Sequence, residues 1–206
     1  PEAMVHRVGE AWTGAVQGAL LEAAKGMSAL AIGPGMGRSG DLPGLVAALL
    51  GCHIPVVLDA DGLNAAAEDL AAIRRSGNLQ VVLTPHPMEM ARLMKLPKEQ
   101  VVQQPVETAQ RCAKETGAVV LLKGATSVIA APDGRLTLNI SGNSGLAKGG
   151  SGDVLTGVIL ALLAQGLGGY DAARLGALIL GAAADEAAES IAPHSLLARD
   201  VIACLP

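Results

Sequence analysis

The chain has 206 residues, of which half are hydrophobic and 17% are charged, and its formal net charge is −4. This balance excludes a disordered chain, and the lack of a basic stripe argues against a nucleic-acid partner. With one Trp, one Tyr and no Phe, the chain offers no aromatic platform for base stacking. Three widely spaced cysteines, without a signal peptide or a membrane-spanning stretch, favour a protein of the reducing cytoplasm.

Short apolar strands alternate with helices along the predicted chain. Segments 28–37, 54–64, 79–94 and 118–124 each begin as an apolar strand that runs into a turn, and 127–140 is a hairpin around Asp133-Gly134. Helices are predicted at 10–25, 41–51, 98–117, 152–166 and 169–190, and also after the second and third strands. This alternation predicts one α/β domain, with a mostly parallel sheet covered by helices on both faces in a three-layer αβα arrangement.

Each of the first four predicted strands ends in polar or glycine-rich residues. In parallel sheets, ligands bind beyond the carboxyl ends of the strands. We therefore expect these ends to lie along one rim and to form the binding site. They are Gly33-Pro34-Gly35, Asp59-Ala60-Asp61, Thr84-Pro85-His86-Pro87 and Lys123-Gly124.

The stretch "GLAKGGSGDVLTGVILALL", residues 145–163, places a glycine loop and one acid, Asp153, ahead of an apolar helix. Glycines let backbone N–H groups converge on an anion, and the helix start adds unpaired donors and a positive dipole end. These features predict an anion hole for a phosphate. A carboxylate fits there if it takes the proton of a hydroxyl that attacks phosphorus. The alternative is a tight turn with an ordinary first-turn acid.

A second glycine pattern competes with this interpretation. Residues 35–40, "GMGRSG", match G-x-G-x-x-G after a predicted strand, and Asp59 follows at the spacing of a dinucleotide-binding fingerprint. However, the preceding "GPG" stiffens the loop, and Pro43 marks a later helix start. A glycine loop that lines a substrate pocket is therefore favoured over a pyrophosphate site.

Three further motifs carry candidate ligand contacts, each with an ordinary structural alternative. In "TPHP", two prolines fix the direction of His86 toward a ligand, or simply end the strand. In "DADGLN", Asp59 is a candidate for holding hydrated Mg²⁺, whereas Asp61 suits a helix cap. In "LKGATS", Lys123 suits nucleotide phosphates, although a lone Lys is often only solvated.

Taken in order, these motifs closely resemble the ADP/ATP-dependent NAD(P)H-hydrate dehydratases of the ribokinase-like superfamily. The resemblance implies restoration of NADH or NADPH from its hydrate, driven by ADP (to AMP and phosphate) or ATP with Mg²⁺, in a homo-oligomer, with tetramers common. The stretches that carry it are "AIGPGMGR", "VVLDADGLN", "VLTPHPMEMARLM", "VLLKGATSVIAAPDG" and "GNSGLAKGGSGDVLTGVILALLAQG".

The motifs and the resemblance together predict roles for individual residues, and the resemblance itself implies those of Gly35, His86 and Asp153 at the hydrate and of Lys123 to Ser127 and Gly152 at the nucleotide. Asp153 is the expected catalytic base. The expected substrate contacts are Gly35, Gly37, Asp59, Asn64, His86 and Asp153. The expected nucleotide contacts are Lys123, Gly124, Ala125, Thr126, Ser127, Asn143, Gly149, Gly150, Ser151 and Gly152. No firm protein-held metal site is predicted, and Mg²⁺ is expected to accompany the nucleotide.

The start of the sequence and the shared motifs leave alternatives open. The family normally has a strand–helix segment ahead of "PEAMV", so residues 1–206 are expected to be one domain that lacks its N-terminal part. A ribokinase-like small-molecule kinase would share the anion hole and the base. A nucleotide-binding module without catalysis is a second alternative, and an NAD-dependent oxidoreductase built on "GMGRSG" is a third.

Overall fold

The computed structural model describes residues 4–37 and 39–206. Within them, the sheet has six strands, and their order across the sheet follows the chain. The strands are β1 (Leu30–Ile32), β2 (Val56–Leu58), β3 (Val81–Leu83), β4 (Val119–Leu122), β5 (Ser127–Ala130) and β6 (Leu136–Asn139). β1 to β4 are parallel, and β5 and β6 add an antiparallel hairpin at one edge. The predicted mostly parallel sheet is confirmed.

The helices follow the predicted order, with three differences at their bounds. The first begins only at Gln17, after a 3₁₀ turn at Gly14–Val16. The predicted 98–117 helix is two helices, because Pro105 starts a new one. Two short helices, at Ala71–Arg75 and Ala198–Ala203, were not predicted individually. The helices are α1 (Gln17–Ala24), α2 (Leu42–Leu50), α3 (Ala60–Ala66), α4 (Ala71–Arg75), α5 (Pro87–Met94), α6 (Lys98–Gln103), α7 (Pro105–Thr116), α8 (Ser151–Ala164), α9 (Gly169–Ala188) and α10 (Ala198–Ala203).

Alternate residues of each central strand enter different hydrophobic cores, one on each face of the sheet. In β2, Val56 and Leu58 pack with α2, α3, α5 and α7, whereas Val57 packs with α8, α9 and α10. All three side chains are fully buried, as expected of a sheet covered on both faces. The sheet is therefore the middle of three layers.

Two glycines allow the end of β1 to touch the start of α3. A Cβ on Gly62 would lie 2.5 Å from the Ile32 carbonyl oxygen, and one on Gly33 would lie 1.8 Å from the Asp59 carbonyl oxygen. Gly33 also has a φ of +128°, which an L side chain rarely adopts. This close approach holds the loop after β1 against the end of β2.

We expect Gly62→Ala to lower the free energy of unfolding by about 2 kcal/mol, because the backbone cannot move away from the added methyl group. Gly44→Ala is the matched control, since Gly44 is also the third residue of its helix and has nothing within 4 Å of its Cβ position. Gly44→Ala should raise the free energy of unfolding by about 0.5 kcal/mol, because alanine lowers the conformational entropy of the unfolded chain. Urea unfolding measures both values, and equal effects would contradict the close approach.

The cysteines are free thiols with different environments. Cys112 is fully buried in α7, and burial raises the pKa of its thiol to about 12. Cys52 and Cys204 are half-buried. In the part of the chain that the structure describes, no helix is both long and apolar enough to cross a bilayer.

Candidate functional site at the rim of the sheet

The four predicted strand ends lie along one edge of the sheet. Gly33, Asp59, Thr84 and Lys123 directly follow β1, β2, β3 and β4, which are parallel neighbours. The Lys123 backbone N–H donates to the Pro85 carbonyl oxygen over 2.8 Å, so the last two ends are joined directly. This confirms the common rim expected from the sequence and makes it the candidate site.

A buried ion pair lies at the centre of this rim. Asp59 is only 2% exposed, and its carboxylate accepts a 2.7 Å hydrogen bond from the Lys123 ammonium group. The second carboxylate oxygen accepts a 3.0 Å bond from the Thr156 hydroxyl group on α8. A buried carboxylate is tolerated only with such partners, so Asp59 ties β2, β4 and α8 together.

His86 is fixed at the start of α5 by its own side chain. Its Nδ1 accepts hydrogen bonds from the backbone N–H groups of Met88 and Glu89, at 3.1 and 3.3 Å. Glu89 completes a capping box, because its carboxylate accepts a 2.8 Å bond from the His86 N–H. The same carboxylate lies 3.9 Å from Lys123 Nζ. His86 therefore joins the rim through Glu89.

The predicted anion hole lies at the start of α8. Gly150 precedes the helix with a φ of +91°, and no side chain caps the first turn. The N–H groups of this turn are thus available to an anion. A Cβ on Gly152 would lie 3.5 Å from both Asp59 Oδ2 and Lys123 Nζ, so the helix start reaches the ion pair. Ser151 is buried, and Gly149 is exposed.

Asp153 lies in the first turn of α8 and is exposed. Among the residues that the structure describes, no side chain or backbone group forms a hydrogen bond or ion pair with its carboxylate. This distinguishes Asp153 from Asp59 and Glu89, which are buried and paired. An accessible acid beside unpaired N–H donors is the arrangement that proton abstraction from a bound hydroxyl requires.

The predicted nucleotide segment that begins at Lys123 forms the tight connection between β4 and β5. Gly124, Ala125 and Thr126 are exposed, and the Gly124 N–H donates a 3.4 Å hydrogen bond to the Ser127 hydroxyl oxygen. The segment is therefore an open turn that Lys123 anchors to the rim.

The predicted substrate residues Gly37 and Asn64 belong to a second polar cluster beside the rim. Asp61 accepts a 2.8 Å bond from the Gly37 N–H and a 3.4 Å bond from the Asn64 amide. Arg92 donates to the Asn64 amide oxygen over 3.0 Å. These four residues line a cavity of about 430 Å³. Asp61, predicted to cap α3, instead holds the glycine loop.

The loop after β1 does not have the geometry of a dinucleotide fingerprint. Gly35 and Gly37 both have a φ near +70°, and the next helix begins only at Leu42. A fingerprint requires the glycines to open the helix itself. Arg38, within this motif, lies outside the described residues. The geometry therefore favours a glycine loop that lines a substrate pocket over a pyrophosphate-binding site.

Two residues of the nucleotide region are engaged in holding loops. The Asn143 amide donates to the Ala184 carbonyl oxygen and to Asp185 on α9, while its oxygen accepts from the Gly145 N–H. The Lys148 ammonium group donates to the carbonyl oxygens of His194 and Leu196. The Asn143 side chain thus ties the loop before α8 to α9, and its contact with the nucleotide stays a prediction.

Sequence reasoning missed Glu89 and Thr156. Glu89 had a local signal, because an acid three residues after a cap residue and before an apolar stretch is the capping-box spacing. Thr156 had none, since it lies 97 residues from its partner Asp59. A second cavity of about 420 Å³, on the outer side of α8, contains none of the predicted residues.

The fold and site define a ribokinase-like α/β protein, as predicted. The solved structure of a ribokinase-like superfamily protein from Enterococcus faecalis matches 92% of this chain and 65% of that chain, at 27% identity and a TM-score of 0.73. The family model described as NAD(P)H-hydrate dehydratase matches residues 1–206. The chain belongs to the NAD(P)H-hydrate dehydratase family.

Two relatives define the extent of the match. A bifunctional NAD(P)H-hydrate repair enzyme from Moorella thermoacetica is 46% identical over 91% of this chain, but only 35% of that protein's length is covered. The Bacillus subtilis ADP/ATP-dependent NAD(P)H-hydrate dehydratase, co-crystallised with ATP and Mg²⁺, matches at 35% identity and a TM-score of 0.74. That match covers 90% of this chain and 66% of the Bacillus chain. The chain thus spans about a third of the bifunctional relative.

Proposed function

We propose that the protein dehydrates NAD(P)H hydrate to NAD(P)H at the expense of ADP or ATP. The observation that carries this proposal is the uncapped start of α8, with Asp153 in its first turn, against the Lys123–Asp59 ion pair. That arrangement suits phosphoryl transfer to a hydroxyl group, and membership of the family supports the hydrate as its substrate.

The proposed reaction begins by making a poor leaving group into a good one. Asp153 takes the proton of the ring hydroxyl while that oxygen attacks the terminal phosphorus of the nucleotide. The N–H groups at the start of α8 donate to the phosphoryl oxygens, and Lys123 adds positive charge beside them. The bond to the rest of the nucleotide breaks, which releases AMP if ADP is used.

Phosphate then leaves with the electron pair of its carbon–oxygen bond. The neighbouring ring carbon loses a proton, and the ring double bond of NAD(P)H is restored. Atoms and charge balance, since hydrate and ADP become NAD(P)H, AMP, phosphate and a proton. His86 and the Gly35–Gly37 loop are the proposed contacts to the hydrate.

Mg²⁺ is proposed to arrive with the nucleotide. In the described ranges 4–37 and 39–206, no group of three or more His, Cys, Asp or Glu side chains could hold a metal. Asp59, the candidate Mg²⁺ ligand, is paired with Lys123. The nucleotide phosphates and water are therefore the better ligands, which is usual for this ion. The free thiols support the proposed cytoplasmic location, and a homo-oligomer remains a prediction.

The test is recovery of NADH absorbance from purified NADH hydrate, with ADP or ATP and Mg²⁺, against a reaction without nucleotide. We expect recovery only when nucleotide is present, with one phosphate released per NADH. Nucleotide consumption with a phosphorylated product and no NADH would replace the dehydratase with a small-molecule kinase. Nucleotide binding without consumption would indicate a non-catalytic binding module.

A further inference from the structure

We propose that Glu89 is a positioning residue that holds His86 as an Nε2–H donor, so that the ligand atom facing His86 is a hydrogen-bond acceptor. The ligand part of this inference rests on the proposed function. The tautomer part rests on the structure alone. The family resemblance implies no role for Glu89.

The tautomer follows from the hydrogen bonds at the start of α5. His86 Nδ1 accepts from two backbone N–H groups, those of Met88 and Glu89. A ring nitrogen that accepts uses its lone pair and carries no proton. The neutral imidazole must then carry its proton on Nε2.

Glu89 acts on both the backbone and the ring of His86. Its Oε2 accepts the 2.8 Å bond from the His86 N–H, while its Oε1 lies 3.4 Å from His86 Nε2. The residue is 6% exposed, so its carboxylate acts from a fixed position. The negative oxygen beside Nε2 favours a proton on that nitrogen.

The Nε2 proton remains available to a ligand. The 3.4 Å separation from Glu89 is longer than a normal N–H···O hydrogen bond. The His86 side chain is 47% exposed, whereas that of Glu89 is 8% exposed. An imidazole held in this way offers a donor and no free lone pair. It therefore suits a carbonyl or phosphate oxygen, and it does not suit proton abstraction.

The tautomer is tested by ¹⁵N NMR of histidine-labelled protein at alkaline pH without ligand, with His86→Gln identifying the His86 signals. We expect the wild type to show a protonated Nε2 and an unprotonated Nδ1. A proton on Nδ1 would overturn the proposal, and this spectrum requires neither activity nor a Glu89 variant.

The role of Glu89 is tested with Glu89→Gln, which keeps the shape but removes the charge. Loss of the charge weakens both the capping box that aligns Nδ1 with its two backbone donors and the attraction for a proton on Nε2. We therefore expect a mixture of tautomers and a KM for the hydrate raised about tenfold, with ADP affinity unchanged. Glu89→Asp should recover much of the loss. Glu107→Gln is the matched control, because Glu107 is also the third residue of a helix that begins with proline, but is exposed. Glu107→Gln should change neither the tautomer of His86 nor the KM for the hydrate.

The proposed function and the positioning role of Glu89 can be disproved independently. If the wild type recovers no NADH, the proposed function fails, and the ¹⁵N spectra still decide the positioning role. If Glu89→Gln keeps the wild-type tautomer and KM, Glu89 is only a helix cap and the positioning role is wrong.

Discussion

Replacing Asp153 with Asn should abolish turnover while leaving nucleotide binding intact. The amide has nearly the same shape but cannot accept the hydroxyl proton, so kcat should fall by about 10³. Asp153 makes no bond with described protein groups, so its loss should not rearrange the rim. Measuring kcat from NADH recovery and ADP affinity by calorimetry separates these two effects.

Asp171→Asn is the matched control for Asp153. Asp171 is also the third residue of a long helix, α9, so both substitutions remove one first-turn charge from the helix dipole. Both should lower stability by about 0.5 kcal/mol, and only Asp153→Asn should lower kcat. Full activity of Asp153→Asn would show that another group takes the proton.

Replacing Lys123 with Met should weaken both the fold and nucleotide binding. Asp59 and Glu89 would then be buried carboxylates without their cation, and breaking a buried pair costs about 3 kcal/mol of unfolding free energy. ADP affinity should fall about tenfold through the lost charge beside the start of α8. Lys98→Met, at an exposed lysine of α6, should change neither.

A double variant separates the two roles of Lys123. Asp59→Asn in the Lys123→Met background removes the carboxylate that lies 2.7 Å from the ammonium group and keeps an acceptor for Thr156, while Glu89, 3.9 Å from that group, stays charged. Stability should therefore recover in large part, whereas ADP affinity should stay low. If ADP affinity recovers together with stability, Lys123 serves only the fold, and its proposed contact with phosphate is wrong.

Local patterns predicted most of the fold. Buried strands such as 56–58 and 81–83 are uniformly apolar because both faces of the sheet are covered, and this pattern is visible in the sequence. Polar residues at successive strand ends likewise predicted the rim. The break at Pro105 was predictable from its missing N–H but was overlooked, whereas the short helix α10 has little periodicity of its own.

The site was less predictable, because its polar contacts join distant parts of the chain. Lys123 was expected to meet phosphate, yet the structure pairs it with Asp59, 64 residues earlier. Asn143 was expected at the nucleotide, which stays a prediction, and its amide also donates to α9, a contact that the sequence did not indicate. In both cases the residue type indicated a polar role, but only the packing of helices against the sheet selects the partner.

The strand order also sets the sequence in which a growing polypeptide acquires its site. Because the order of the strands across the sheet follows the chain, each new strand finds its neighbour already synthesised, so Asp59, His86 and Lys123 can meet before the rest of the chain is made. Thr156 emerges 97 residues after Asp59, together with the rest of α8. A nascent chain halted after β6 would hold His86 and Lys123 but no Asp153. The proposed phosphate site is thus incomplete until synthesis has passed residue 153.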